Sequence, residues 1–115
     1  MRERLLTITE AAQQLSAGET SSRNLVETCL ARAADDIGEG ARVYLTTYAD
    51  RARADADHVD QMRINGWAVP TFAGVPISIK DLFDVAGEVT RAGSKVFDAD
   101  QPAIDDATAI QRLRA

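Results

Sequence analysis

Val75-Pro76-Ile77-Ser78-Ile79-Lys80 alternates along its length, with Val75, Ile77 and Ile79 on one side of an extended chain and Ser78 and Lys80 on the other. A period of two predicts a β-strand, and this one ends on a lysine just before a loop. Residues 43–48, Val-Tyr-Leu-Thr-Thr-Tyr, are rich in branched and aromatic side chains and predict a second, shorter strand. Several other segments carry helical spacing and the rest read as turns and loops, so the chain is expected to mix helices with strands. Residues 1–65 are expected to be mainly helical with one short strand, and residues 66–115 to hold the other strand, the lysine-bearing loop and the start of a helix. Each part is too small to bury a core alone, which predicts one cooperative unit.

The helices announce themselves through their ends. Thr7-Ile8-Thr9-Glu10 is a capping box, in which the Thr7 hydroxyl and the Glu10 carboxylate satisfy amides at a helix start, and Gly18 stops the helix that begins there. Ser21 is placed to cap a second helix with an apolar stripe of Leu25, Cys29 and Ala33, flanked by Val26 and Leu30. Cys29 reads as a small core residue on that stripe, since no neighbouring base activates its thiol. Gly38-Glu39-Gly40 breaks this helix. A third runs from Ala49 to about Ile64, with Ala49, Ala52, Ala56, Val59 and Arg63 on its inner face. Small residues there permit close approach of a neighbour. His58 reads as a solvated imidazole, because no second His or Cys completes a metal site. Trp67, Val69 and Phe72 are expected to cover a core edge, and Asp105 or Asp106 to cap a last helix carrying Ala107, Ile110 and Leu113.

Composition removes several functions. The 115 residues are 45% hydrophobic and 27% charged, as in a folded globular chain. Thirteen bases against eighteen acids give a net charge of -5, the wrong sign for holding a phosphate backbone, so no nucleic-acid partner is expected. No apolar run is long enough for a leader or a membrane span, which gives a cytoplasmic protein by default. The single cysteine rules out an intrachain disulfide and agrees with a reducing compartment.

Only two of the basic residues are lysines, Lys80 and Lys95. A lysine at the end of a strand sits where many α/β enzymes place their chemistry. Read from spacing alone, this is an ordinary surface lysine far sooner than a catalytic one. The surrounding motif adds the decisive information: Ala73-Gly74-Val75-Pro76-Ile77-Ser78-Ile79-Lys80-Asp81, then Leu82-Phe83-Asp84-Val85-Ala86-Gly87, then Thr90-Arg91-Ala92-Gly93-Ser94-Lys95-Val96. This block resembles the first signature block of the amidase signature family, and the segments on either side of it are similar as well.

The resemblance implies an amide hydrolase with a Ser, cis-Ser, Lys triad on an α/β/α sandwich around a mixed sheet, of which this chain would be the N-terminal part. It implies Lys80 as the catalytic lysine, with no metal and no organic cofactor. In that mechanism a neutral amine takes a proton from a bridging serine, which activates the nucleophilic serine to attack an amide carbonyl; water then releases the acid from the acyl-enzyme. Lowering an ordinary lysine from about 10.4 to about 7.5 takes roughly 4 kcal/mol of differential environment, so such a base must be buried. Asp81 points to the other strand face and reads as a fastener of loop amides. The resemblance implies that Ser94 lies near the lysine as a supporting hydrogen-bond group, not as a nucleophile. Ser78 lies about 7 Å along the strand from Lys80, too far for a direct relay. The Asp98 and Asp100 pair lacks the pattern of a calcium loop and reads as solvated turn acids.

The family's glycine- and serine-rich segment, with both triad serines and the oxyanion-hole amides, does not occur in residues 1–115. The expectation is a fragment of an amidase, truncated at its C-terminus and inactive alone, whose complete form takes a small-molecule amide. Two alternatives stand beside it. One is the amidase-type subunit of a tRNA-dependent amidotransferase, against which Leu82 weighs, since asparagine commonly follows Lys-Asp in those subunits. The other is a noncatalytic interaction module, whose unpaired strand edges would bind another chain or drive self-association.

Overall fold

The helix boundaries follow from the caps. The computed structural model describes residues 4–115, so Met1, Arg2 and Glu3, at the start of the stretch in which no leader is expected, lie outside the described residues. Helix α1, Ile8–Ala17, starts on the predicted box: Glu10 N–H donates to Thr7 Oγ1 at 3.2 Å, and Thr7 N–H donates to Glu10 Oε2 at 2.8 Å. The Thr7 amide, and then the Arg4 guanidinium, hold the Glu10 carboxyl below its ordinary value. Gly18 closes the helix with φ 71°, a left-handed conformation that disfavours any residue with a Cβ. Helix α2, Ser22–Ala33, is capped by the Ser21 hydroxyl, which accepts from Asn24 N–H at 3.0 Å. A single turn, α3, covers Gly40–Val43, and α4 covers Ala49–Ile64.

The chain forms two compact units, one ending at Pro76 and one spanning Ile77–Ala115. In the first, α2 packs on α4. Val26 and Ala56 are buried at 5% and 3% exposure, and the small Ala56 side chain lets the helices come close, as the alanine-rich face predicts. Around that contact lies an ion cluster. Arg53 clasps Glu27 through Nε at 2.7 Å and Nη2 at 3.1 Å, and Arg23 reaches Glu27 at 2.8 Å and Asp57 at 2.7 Å. Hydrogen bonds first from Arg53 and then from Arg23 hold the Glu27 carboxyl down to about 2.

The second unit is loop-rich. Gly87 N–H donates to the Ala103 carbonyl at 2.8 Å and Ala103 N–H to the Glu88 carbonyl at 2.9 Å, and Val85 and Ile110 are the unit's buried apolar residues. A 3-10 turn covers Lys95–Phe97, and α5 covers Thr108–Arg114. Its cap position is Ala107, with no side-chain cap, in place of the expected Asp105 or Asp106. Asp106 is engaged elsewhere: Oδ1 accepts from Ala86 N–H at 2.8 Å and Oδ2 from Arg114 Nη1 at 2.8 Å.

The α/β expectation is overturned. All regular structure among the described residues is helical, and the predicted sheet, with the α/β/α sandwich built on it, is absent. Residues 43–48 finish α3 and continue as irregular chain, and residues 75–80 carry no regular structure. Alternation prepares a segment for a sheet without making one, because a strand's amides and carbonyls need a neighbouring strand to form the ladder. Cys29 is also exposed, not core, since α2 turns Ser22 and Val26 inward.

Candidate functional site

Lys80, Asp81 and Ser94 all lie in the second unit, and the backbone ties their segments together. The Lys80 carbonyl accepts from Leu82 N–H at 2.7 Å and from Phe83 N–H at 3.2 Å, which turns the chain sharply after the lysine. Asp81 Oδ1 then accepts from Arg91 N–H at 3.2 Å, and the Arg91 carbonyl accepts from Ser94 N–H at 2.9 Å. The 91–94 turn has Ala92 at φ 51° and Gly93 at φ 72°, the pair of positive values that a type I′ turn requires. So one carboxylate fastens the loop carrying Ser94 to the residue beside Lys80.

Each side chain has a defined surrounding. Lys80 is exposed. Asp81 Oδ2 is buried and has no hydrogen-bond partner. The Ser94 hydroxyl accepts from Val96 N–H at 3.2 Å, capping the 3-10 turn. Thr90 Oγ1 donates to Asp84 Oδ1 at 2.6 Å. Asp98, read as a solvated acid, accepts from Arg91 Nε at 3.2 Å. His58 is exposed, and no group of three metal-ligating side chains forms among the described residues.

Sequence reasoning missed the roles of Arg91, whose amide and carbonyl join Asp81 to Ser94, and of Asp84, which accepts from Thr90, and it gave Asp106 a cap role where the carboxylate instead accepts from Ala86 N–H. Backbone groups recruited from well beyond a helical turn leave no periodic trace. The one available signal was Ala92-Gly93, a pair suited to a tight turn.

Residues 24–115 match the family model described as Amidase. The chain belongs to the amidase family. It is 38% identical over 106 residues to AtzE, a 1-carboxybiuret hydrolase subunit of Pseudomonas sp. (strain ADP), covering 92% of this chain and 23% of that protein. It is 40% identical over 108 residues to a glutamyl-tRNA(Gln) amidotransferase subunit of Chromohalobacter salexigens, covering 94% of this chain and 22% of that one. A solved structure from a vestigial protein complex, said to reveal the evolutionary origins of an s-triazine catabolic enzyme, matches with a TM-score of 0.85 and 35% identity, over 95% of this chain and 24% of that one. This amidase chain therefore spans less than a quarter of the length of these relatives. No helix among the described residues is long and apolar enough to cross a membrane.

Proposed function

We propose that this chain is the lysine-bearing part of an amidase-type subunit that works inside a multi-subunit assembly in the cytoplasm, and that it cleaves no amide by itself. The observation carrying this reading is its likeness to proteins that are subunits, one of a hydrolase and others of amidotransferases, at 38–40% identity over nearly the whole chain, and to a protein complex at a TM-score of 0.85. Leu82 in place of asparagine weighs less than that extent of identity. Lys80 is the general base. Its amine takes a proton from a serine hydroxyl supplied outside these residues, and that serine passes the activation to a nucleophilic serine, which attacks the amide carbonyl. Asp81 and Ser94 position the loop. The exposure of Lys80 supports the inactivity of the chain alone, because a lysine base has to be shielded from water to stay neutral.

A chimera tests this. The corresponding N-terminal segment of the 1-carboxybiuret hydrolase subunit is replaced by residues 1–115, and hydrolysis is measured with and without Lys80→Met. The expected result is measurable turnover that falls at least about 100-fold in K80M, the scale of a general base. Equal turnover in both chimeras, or turnover by the isolated 115-residue chain, would overturn the proposal.

A further inference from the structure

Asp84 joins three segments of the second unit. Its carbonyl accepts from Ala107 N–H at 2.9 Å, and two residues on, Ala86 N–H donates to Asp106 Oδ1 at 2.8 Å. Residues 84–86 are thereby tied at both ends to the two residues that precede α5. From that anchored backbone the Asp84 carboxylate reaches across the loop, where Oδ1 accepts from Thr90 Oγ1 at 2.6 Å. That is the length of a charge-assisted O–H···O⁻ bond, about twice as strong as a neutral one. Thr90 adjoins Arg91, whose amide is held by Asp81, the residue after Lys80. Two carboxylates separated only by Leu82 and Phe83 therefore grip two successive residues, and Lys80 leads directly into the loop they close. Of the two grips, that of Asp81 is the longer, at 3.2 Å. Asp84 is exposed, so substitution there costs overall stability little. What its bond fixes is geometry.

We propose that Asp84 and Thr90 are a positioning pair for Lys80: their bond closes the loop that follows the lysine, and so sets where the amine stands relative to the serine it deprotonates. The inference rests on the general-base reading above and deepens it by naming what holds the base in place. Neither side chain takes or gives a proton in the reaction, and both act through the backbone of residues 80–91. A catalytic group misplaced by about 1 Å loses about 100-fold in rate, and a loop still held by Asp81 shifts by less than that.

The chimera described above carries the test. Thr90→Val replaces the hydroxyl by a methyl on the same branched frame. It is expected to lower kcat at least about tenfold with KM within about twofold and the urea midpoint unchanged, and Thr90→Ser, which restores the donor, to recover most of the loss. Asp84→Ala should match T90V, and the double variant should be no slower than either single one, since both remove the same bond. The full 115-residue chain gives a readout that needs no turnover. There T90V and D84A should each speed amide exchange at Arg91 and Ser94 and leave Ser22 and Arg23, in the first unit, as they are. Turnover that needs Lys80 but ignores T90V, additive losses in the double variant, or no recovery in T90S would overturn the proposal, as would unchanged exchange at Arg91 and Ser94. Turnover that survives K80M sinks the general-base reading instead, and the exchange result still decides whether the pair closes the loop.

Discussion

Asp60 lies on α4, yet it supplies the N-terminal anchor of α2. Its Oδ1 accepts from Ser22 N–H at 2.7 Å and its Oδ2 from Arg23 N–H at 2.9 Å, two first-turn amides with no partner inside their own helix. Ser22 is only 1% exposed, so water cannot easily replace the carboxylate. Hydrogen bonds to a charged acceptor contribute about 1.5 kcal/mol each at the low end of their range. Asp60→Ala should therefore destabilise the chain by about 3 kcal/mol, a roughly 150-fold shift toward the unfolded state and about 12 °C in Tm. Asp60→Asn keeps one acceptor and should lose about half as much. Urea unfolding followed by circular dichroism at the helix band reads this well, because α1 to α4 all lie in the first unit. Amide exchange at Ser22 and Arg23 supplies the local readout. A loss below about 1 kcal/mol, with both amides still protected in D60A, would refute the reasoning.

Three further outcomes follow from the same structure. The folded Glu27 carboxyl titrates at about 2, below its ordinary value of 4.5, so its contribution is complete above that ordinary value and disappears as pH falls toward about 2. The urea midpoint should drop over that window in the native chain and drop less in Glu27→Gln; parallel curves would contradict the Arg53–Glu27–Arg23 cluster. Gly74→Ala should destabilise by about 3 kcal/mol, since φ is +89° and a Cβ would lie 2.8 Å from Ser22 Oγ and 2.9 Å from Ser22 Cβ; a chain of native stability would show that this contact does not form. Ala92→Gly should relieve the left-handed strain at φ 51° and stabilise the second unit by up to about 1 kcal/mol, seen as slower exchange of the Ser94 amide. Faster exchange would count against the turn.

The role of Gly74 illustrates what a motif conceals. In the sequence it is the glycine of a Gly-x-Pro block leading to Lys80. In the structure its carbonyl accepts from Ser22 Oγ at 2.6 Å, and its missing side chain lets that serine sit against it. The motif therefore marks a packing requirement 52 residues away as well as a lysine loop. Arg63 is a similar case: counted as part of a helix face, it ends beside an open groove with one nitrogen unmatched.

The sequence alone determined the starts of α1 and α2, the extent of α4, the alanine seam at Ala56 and the membership in the amidase family. Those features rest on groups within a few residues of one another, because a helix bonds its own amides to its own carbonyls and a cap reaches only the next turn. Tertiary structure alone decided that residues 75–80 form no strand, that Asp60 anchors a helix it does not belong to, and that Trp67 lines a cleft. In each of these the partner comes from a distant part of the chain or must be provided by another strand, and no local pattern specifies whether it arrives.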